Sequence, residues 1–595
     1  MSRPMDPIVY LRSFSASSAL TLLFVTACAG TGGGQTDGAT AGTAGSSAGT
    51  TTDSSTDSST DSSTGGTTGN TSGNTSGNTS GNTSGSTAES TGESTGESTG
   101  STTGPDIGPP DCYGDATESL IPSERRADWT HTGVEGGIPS IPSAVELSDG
   151  EMNIEDIQNA INTVAVPGAV VLPAGTFDLS GSLEMRSGVV LRGQGLDATH
   201  LRFDTGDSWG GAIYIAGIGE DFNPVTGGHE ICSQALTLAS PELFQAGDTA
   251  IIVQENDPDL MATDRPAGWD PDWAADSIGQ VVRVTSVAGD TVEIDAPLRF
   301  DYDANFNPRI KRVDPIANVG VEDMHISLLN DDENSVITIS YAENVWVRGC
   351  ELEITTRAHI WTDNSRFITV ENNYIHHAFD YGNGGHGYGV AFGAHTSDSL
   401  LHNNAFESLR HAMMLKEGAN GNVIAYNSAV DGQHDLETDM SVHGHYPYAN
   451  LIEGNDVGSV SNCDWWGPSG PRMTMLRNRN RFKWFRPAED RSHYANAVGN
   501  TVPMGEVFDT TDEWSSEFML LEGNLLNGIM EWDTLPSDSK IETSLAYLSG
   551  PPDFWGARDW PCIGADVDQD DMDNIPARDW YLAIQAAGHG VPFSP

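Results

Sequence analysis

The histidines of this sequence are concentrated in one stretch of the chain. Nine of the 16 fall between positions 376 and 445: His376, His377, His386, His395, His402, His411, His434, His443 and His445. Imidazole exchanges protons near neutral pH and is a common metal ligand, so this concentration favours catalysis or metal binding over a purely structural role. Within and beside the stretch, the candidate catalytic residues are Arg410, His411, Lys416, His443 and His445.

A second group of residues could hold an acidic glycan. Arginine and tryptophan follow the histidines closely, and guanidinium groups match carboxylates while aromatic faces stack on sugar rings. These cations stand out because the chain has only 28 Lys and Arg against 84 Asp and Glu. We therefore predict a local groove for an acidic polysaccharide. Its candidate substrate-binding residues are Asp380, His386, Tyr388, His434, Trp465, Trp466, Arg472, Arg477 and Arg479.

Three alternating acidic residues lie in the same stretch: Asp435, Glu437 and Asp439. Carboxylates are ligands of hard cations, so one interpretation is a Ca²⁺ site. A solvated acidic loop explains the pattern equally well. A transition-metal site of the His/His/Asp type within 376–445 is a further alternative. No other cofactor is expected.

The formal net charge of −56 excludes a class of partner. Duplex nucleic acid requires a positive surface that releases counterions, and the charge here has the opposite sign. The chain also lacks the stretches of about 18 apolar residues that a multi-pass membrane protein needs. We expect an acidic, soluble monomer.

The elements that must position these residues form a repeat. From about residue 111, short β-branched and aromatic runs alternate with Gly, Asn and Asp. One phrase recurs, as VENNYI at 370–375, LHNNAF at 401–406 and IEGNDV at 452–457. It consists of an apolar residue, two variable residues, Asn or a substitute, and a second apolar residue two positions later. Its fourth positions are 324, 350, 373, 404, 427, 455, 479 and 524, with the last step counted as two periods.

A period of about 23 residues built from strands predicts an all-β, single-stranded parallel β-helix in which asparagines bond along the stack at the turns. Residues 153–164 are expected to form an amphipathic helix that caps its open end. The segment 236–312 breaks the period and is expected to be a β insertion. Seven residues after the repeat position stand Asp380, His411 and His434, which predicts one ladder if the additional residues of the long coils lie elsewhere.

The first 110 residues are predicted to contain an export signal and a flexible tether. Arg3 and Arg12 precede a short apolar run that ends in Val-Thr-Ala-Cys28. This resembles a bacterial lipoprotein signal peptide over 1–27 with Cys28 lipidated, and a plain secretory signal is the alternative. Residues 28–110 are a Ser/Thr/Gly-rich flexible linker. We expect a lipid-anchored protein of the outer membrane or cell surface, or a secreted one, with membrane contact through the lipid only.

The first coils carry a family resemblance. VVLPAGTFDL at 170–179 and SGVVLRGQG at 187–195 resemble the start of pectate-lyase-like right-handed parallel β-helix proteins. The resemblance covers 140–530, within a β-helix domain expected over 111–595. It implies a right-handed solenoid and names the superfamily, not the reaction.

A weaker resemblance concerns the coil at 404–411. Its NAF followed by LRH is similar to the Arg-His coil of the alginate lyase and chondroitinase B family. In that family an Arg on such a coil acts as acid and a Lys on a preceding coil acts as base. Here Lys416 instead follows Arg410 by six residues, and Ala rather than Gly follows His411. The base is therefore open among His411, His443 and His445.

Three functions follow from these features. The leading prediction is a polysaccharide lyase that cleaves an acidic, uronic-acid polysaccharide by β-elimination, which needs a cation, a base and an acid. A glycoside hydrolase on the same fold needs two carboxylates at a defined separation, for which the candidates are Asp380, Asp435, Glu437 and Asp439. A non-catalytic, adhesin-like module that binds glycan is the third.

Overall fold

The structure is a computed structural model that describes residues 119–595. It leaves out 149, 151, 207–209, 262–273, 383–384, 434–437, 463–465, 483–484, 487–491, 503–515, 569–573, 589–590 and 594–595. The predictions for the signal peptide, Cys28 and the tether therefore lie outside the described residues. So do those for His434, Asp435, Glu437 and Trp465.

Strands dominate the chain from its first described coils. The segment before the insertion contains β1 Ser143–Glu146, α1 Ile154–Thr163, β2 Gly168–Val171, β3 Gly175–Ser180, β4 Leu183–Glu184, β5 Val189–Arg192, β6 Thr199–Asp204 and β7 Gly211–Ala216. The insertion contains β8 Ile218–Gly227, β9 Ala235–Leu238, β10 Thr249–Val253, β11 Gly279–Ala288, β12 Thr291–Ile294 and β13 Arg309–Asp314.

After the insertion the repeat resumes and runs to the last coil. Its strands are β14 Ile316–Glu322, β15 His325–Leu328, β16 Ser335–Ser340, β17 Ala342–Arg348, β18 Glu351–Thr355, β19 Ala358–Asp363, β20 Arg366–Glu371, β21 Tyr374–Ala378, β22 Tyr388–Phe392, β23 Leu400–His402, β24 Ala405–Glu407, β25 His411–Leu415, β26 Val423–Ala425, β27 Ser428–Val430, β28 Met440–Val442, β29 Leu451–Glu453, β30 Asp456–Val457, β31 Val460–Ser461, β32 Thr474–Leu476, β33 Arg479–Asn480, β34 Phe485–Arg486, β35 Asn496–Val498, β36 Thr501–Val502, β37 Leu520–Leu526 and β38 Ile529–Trp532. A C-terminal helix, α2, spans Pro576–Ala587.

These strands form a parallel β-solenoid of about 14 turns, and most of its described coils contribute one strand to each of three faces, called here the first, second and third sheets. The first sheet contains β2, β5, β14, β17 and their successors, and the second contains β3, β6, β15, β18 and theirs. The third sheet runs through β4, β7, β16, β19, β22, β25, β28, β31 and β34. The predicted right-handed parallel β-helix with an N-terminal capping helix and a β insertion is confirmed.

Buried asparagines fix the turn between the first and second sheets. Asn373, Asn404 and Asn427 lie in successive coils, and each side-chain amide donates to the next oxygen at 2.9–3.0 Å. The ladder continues through Asn455, Asn478, Asn500 and Asn524. The repeat position assigned to 479 is therefore wrong by one residue, because Asn478 occupies it. The long last step is two coils, divided at Asn500.

The core is the apolar interior of the coils. The inward residues of the first sheet stack in register, as in Val347, Val370, Leu401, Ile424 and Ile452, which are all at most 1% exposed. Helix α1 closes the N-terminal end of this core with Ile157 and Ile161. Its N-terminus is a capping box, in which Asn153 accepts from the Glu155 and Asp156 amides and Asp156 accepts from Asn153.

The insertion is a closed antiparallel barrel of β8 to β13, placed between β7 of the third sheet and β14 of the first. It starts earlier than the predicted 236–312, at Ile218. The barrel packs beside the turns that join the third sheet to the first sheet in later coils. Arg299 of the barrel is ion-paired with Asp398, and Gly279 O accepts from the Tyr448 hydroxyl at 2.8 Å.

The first and second sheets are partly covered on the outside by other segments. Barrel and C-terminal side chains pack on outward residues of the first sheet such as Val423 and Leu451. On the second sheet, Trp580 and Ile584 of α2 pack against Tyr374 and Ala405. In the part of the chain that the structure describes, neither helix has the length and apolarity to cross a bilayer.

We predict that Asn427→Ala lowers the free energy of unfolding by about 3 kcal/mol, because it strands buried partners at roughly 1–3 kcal/mol each. Asn427 donates to Leu401 O at 2.9 Å and accepts from the Asn404 backbone amide at 2.9 Å. The midpoint of urea unfolding measures the loss. Asn159→Ala is the matched control, since Asn159 is exposed within α1. Equal midpoints for the two variants would contradict a stabilising role of the ladder.

Candidate active site

The candidate site lies on the outer face of the third sheet, where β19, β22, β25 and β28 are neighbours. The register places Trp361 opposite Ala391, which is opposite Met414. With Ala358 and Tyr388, these side chains form a small apolar cluster on the outside of the solenoid. A partly exposed tryptophan over an apolar patch is the kind of surface on which a sugar ring stacks.

Two histidines flank Tyr388 at one end of this cluster. Tyr388 is directly opposite His411 in the register, and their rings stack at 5.5 Å between centroids. The ring of His443 lies 6.1 Å from that of His411 and 6.2 Å from that of Tyr388. Trp466 adds an edge-on contact to His443 at 6.1 Å. Four of the predicted site residues are thus brought together.

A hydrogen bond fixes the tautomer of His411. Its Nδ1 lies 2.8 Å from the Thr438 carbonyl oxygen, which can only accept, so Nδ1 carries the proton in the neutral ring. Nε2 is then the basic nitrogen. His411 is 5% exposed and His443 is half-buried, so the pair combines one buried and one more accessible imidazole.

Three cations surround the same cluster. The Arg410 guanidinium lies 5.7 Å from the Tyr388 ring centroid and donates to Gly382 O at 2.7 Å. Lys416 and Arg357 approach the Trp361 ring at 4.8 and 5.2 Å. Burial lowers the pKa of Arg357. The sequence interpretation missed Arg357 and Trp361, because they stand in the coil before the histidine stretch.

Two carboxylates beside Lys416 were also missed. Glu417 forms an ion pair with Lys416, and Asp363 accepts from Trp361 Nε1 at 2.8 Å and from the Ala394 amide at 3.0 Å. Burial, reinforced by the nearby Glu417, raises the pKa of Asp363 to about 7. Gly393 leaves room for this carboxylate, since a Cβ there would lie 2.3 Å from Asp363 Oδ1.

The loop between β21 and β22 holds two further predicted residues. His386 Nδ1 lies 2.6 Å from Asp380 Oδ2, and its Nε2 lies 3.0 Å from Glu333 Oε2 in an earlier coil. The hydrogen bond from His386 is the main cause that lowers the pKa of Asp380. These contacts tie the loop to the solenoid beside Arg410.

The predicted ladder is wrong at Asp380, and His434 lies outside the described residues. The additional residues of the 373–404 coil lie between β21 and β22, before the third sheet, so Tyr388 takes the place opposite His411. Asp380 lies in the loop instead. Aligning the coils after removal of the long loop, rather than by counting from the repeat position, would have found the register.

The prediction for the arginines after the histidine stretch has to be corrected, because these side chains bond to other parts of the fold. Arg472 is buried and donates to the carbonyls of Glu124 and Arg299 at 3.0 and 3.1 Å. Arg477 is buried against Asp566, with bonds of 2.6 and 2.9 Å.

Arg479 is likewise paired, since its Nη1 lies 3.1 Å from Asp456 Oδ2 in the preceding coil. The prediction of a glycan-binding role is therefore wrong for the buried Arg472 and Arg477, whereas for the partly exposed Arg479 it stays a prediction. Arginine in a solenoid satisfies carbonyls where segments cross, and sequence spacing does not separate that role from binding.

Two other predicted residues occupy turns. Asp439 is buried, and its Oδ2 accepts from the Gly458 amide at 2.6 Å, which joins two coils. His445 is buried at a positive φ of 52°, with its ring 5.8 Å from Trp466. The Ca²⁺ site stays a prediction, because Asp435 and Glu437 lie outside the described residues.

No protein-family model matches the chain, and no curated protein matches it significantly. Solved structures are similar at a low level. The tailspike protein gp49 of Pseudomonas phage LKA1 aligns over 63% of this chain and 56% of its own, with 15% identity and a TM-score of 0.46. The chain thus spans about half of that tailspike's length.

Two enzymes are less similar. The A-module of mannuronan C-5 epimerase AlgE6 of Azotobacter vinelandii aligns over 67% of this chain and 97% of its own, with 13% identity and a TM-score of 0.30. Alginate lyase AlyF-OU02 in complex with G6 aligns over 65% and 64%, with 9% identity and a TM-score of 0.31. These similarities are too low to carry an argument, so the evidence for the solenoid is the strand pairing within this structure. The pectate-lyase-like assignment stays a prediction.

We predict that Arg477→Gln lowers the free energy of unfolding by about 2–3 kcal/mol, because it breaks an ion pair in which the guanidinium is buried. The expected loss is small for a buried ion pair, because the Asp566 side chain is 39% exposed. Arg410→Gln is the matched control, and as a half-buried surface change it should stay within about 0.5 kcal/mol. Urea unfolding of both variants decides; equal stability would contradict the structural assignment of Arg477.

Proposed function

We propose that this protein cleaves an acidic, uronic-acid polysaccharide by β-elimination. The observation that carries the proposal is the pair of imidazoles, His411 and His443, whose rings lie 6.1 Å apart beside Arg410 on an aromatic surface. The similarity to solved structures is too low to support this choice. The site geometry alone supports it.

The reaction needs three groups around one sugar. A cation must neutralise the uronate carboxylate so that the adjacent C5–H becomes acidic, and a base must then remove that proton. The electron pair of the C5–H bond forms the C4=C5 double bond while the C4–O bond breaks. An acid finally protonates the departing oxygen.

The residues fit these roles as follows. Arg410 is half-buried and lies 5.7 Å from the ring of Tyr388, which stacks on His411, so it serves as the cation that neutralises the carboxylate. His411 acts as the base through Nε2, since Nδ1–H is held by Thr438 O at 2.8 Å. His443 is half-buried and can exchange its proton with water, which suits the acid. Lys416 is buried and paired with Glu417, so it contributes charge rather than proton transfer.

The negative net charge of the protein makes local cations important for binding a polyanion at this site. With a net charge of −56, most of the surface repels a polyanion. Arg357, Arg410 and Lys416 converge on Trp361 and Tyr388, which would offset this repulsion locally. A stacked sugar would then meet the cations and the imidazoles together.

We also propose that the solenoid is attached to a bacterial envelope. Lipidated Cys28 would be the anchor, and residues 28–110 would be the tether that lets the groove reach a polymer outside the membrane. Release of the protein from membranes by replacement of Cys28 with Ser would test this part separately from catalysis.

We predict that His411→Asn lowers kcat on the responding polysaccharide at least about 100-fold with little change in KM, because the asparagine amide can still donate to Thr438 O but lacks the basic nitrogen. The measurement is the ultraviolet absorbance of the unsaturated product with the full chain and a panel of uronic-acid polymers, with and without Ca²⁺. His131→Asn is the control, since the His131 side chain is 82% exposed and remote in sequence.

The outcomes separate the three functions. Product absorbance that is lost in His411→Asn and kept in His131→Asn supports elimination. Product formed equally by both variants would contradict the role of His411. Saccharide binding without any bond cleavage would leave a glycan-binding module.

One observation favours hydrolysis as the second candidate. Burial, with the charge of Glu417 as the second cause, raises the pKa of Asp363 to about 7. A carboxylic acid that stays protonated near neutral pH can donate a proton to a glycosidic oxygen, and a nearby carboxylate completes the pair.

For hydrolysis we predict new reducing ends without ultraviolet absorbance. The Asp363 acid is protonated below its pKa and loses its proton as the pH rises, so kcat should fall as the pH increases through about 7. Asp363→Asn should lower kcat at least about 100-fold, and Asp178→Asn on β3, with a side chain that is 60% exposed, is the control. Retained hydrolysis in Asp363→Asn would exclude this pair.

A further inference from the structure

The outer face of the second sheet carries a separate polar cluster in the early coils. His200 on β6 is directly opposite His325 on β15, and Glu353 lies on β18 in the next coil. Three consecutive coils of the stack thus present one side chain each to the same place.

The geometry of these side chains is close. The two imidazole rings are stacked with centroids 3.6 Å apart and an interplanar angle of 4°. His325 Nε2 lies 3.0 Å from Glu353 Oε2. One ligand atom from each of the three residues lies within 4.8 Å of the other two. Within the described part of the chain, these three form the one set of His, Cys, Asp or Glu side chains that meets this spacing.

The contact between His325 and Glu353 is close without being a good hydrogen bond. His325 Nε2 is fully shielded from solvent and has no hydrogen-bond partner of acceptable geometry, although the carboxylate oxygen lies 3.0 Å away. A buried polar atom in this situation costs free energy. An ion that both the nitrogen and the oxygen could coordinate would remove the cost.

We propose that His200, His325 and Glu353 form a binding site for a divalent transition-metal ion, with Zn²⁺ as the representative ion. Two imidazole nitrogens and one carboxylate oxygen are a donor set for Zn²⁺, Ni²⁺ or Cu²⁺, whereas Ca²⁺ and Mg²⁺ prefer oxygen alone. In the stacked arrangement the in-plane lone pairs of the two rings run parallel, so both rings would have to tilt out of the stack for their nitrogens to coordinate one ion. The Ser327 hydroxyl, 2.9 Å from His200 Nε2, is placed to provide or orient a fourth donor.

Neighbouring side chains complete the surroundings. Glu351 Oε1 lies 3.9 Å from His325 Nε2 and 3.2 Å from His376 Nε2. Because Glu351 faces the proposed ligand nitrogen itself, this carboxylate would balance the charge of the ion or join its ligands, and it would not orient the ring.

The position of the site suggests what the ion does. β6 precedes the inserted barrel and β15 follows it, so His200 and His325 are stacked neighbours that are 125 residues apart in sequence. The metal would cross-link two neighbouring coils. The chain leaves the solenoid after the first of these coils to form the barrel, and it re-enters the solenoid at the second. Cross-links that close long loops stabilise most in principle. This role is independent of catalysis on the third sheet.

The test measures metal binding by the full chain after chelator treatment. Equilibrium dialysis with Zn²⁺ alone, followed by elemental analysis, gives the number of ions bound. We expect His325→Asn and Glu353→Gln each to bind one ion fewer than the wild type at low free Zn²⁺, or the same ion at least about tenfold more weakly. His131→Asn is the matched control, because it removes an exposed histidine elsewhere.

Two further measurements keep the outcome unambiguous. Co²⁺ should give the visible absorption of a site with nitrogen ligands in the wild type and in His131→Asn, and less in His325→Asn. Zn²⁺ should raise the thermal midpoint of the wild type more than that of His325→Asn, since ions bound only by the folded state stabilise it. Circular dichroism confirms that the variants are folded. Equal Zn²⁺ content and equal Co²⁺ spectra in wild type and both site variants would overturn the proposal.

Discussion

The buried asparagine ladder is the interaction on which this structure depends. Each turn between the first and second sheets places backbone groups inside the solenoid, where water cannot satisfy them. Asn404 and Asn427 solve this by bonding both to backbone carbonyls and to the next asparagine. From Asn373 to Asn524 successive coils present the same amide at the same place, so these coils stay in register and their outward side chains acquire defined neighbours.

That constraint decides where the coils can vary. Additional residues cannot enter the asparagine turn without breaking the ladder, so they lie between the second and third sheets or between the third and the first. The loop around Asp380 and His386 is at the first place, and the barrel of β8 to β13 is at the second. The candidate active site lies on strands of the third sheet, between the two positions at which a coil can be lengthened. The proposed metal site is on a different sheet, next to the coil interrupted by the barrel.

The few cations of an acidic chain are divided between two tasks. Arg299 and Arg366 pair with Asp398 where the barrel meets the solenoid, and Arg477 fastens the C-terminal segment. Arg357, Arg410 and Lys416 instead approach aromatic rings on the third sheet. The sequence does not distinguish an arginine that donates to backbone carbonyls from one that lies over an aromatic ring. Their different roles depend on what surrounds them after folding.

The sequence by itself determined the solenoid, its period, its capping helix and the presence of an insertion, because these depend on local patterns such as VENNYI and on repeated asparagines. It also determined that His411, His443, Tyr388 and Arg410 belong to one region, since they stand in consecutive coils. Only the tertiary structure decided that Asp380 leaves the ladder, that Arg472 and Arg477 are buried, and that Trp361 and Asp363 join the site. The reason is physical: the register of a third-sheet strand is set by pairing with its neighbouring coil, and a loop of variable length hides that pairing from any count along the chain.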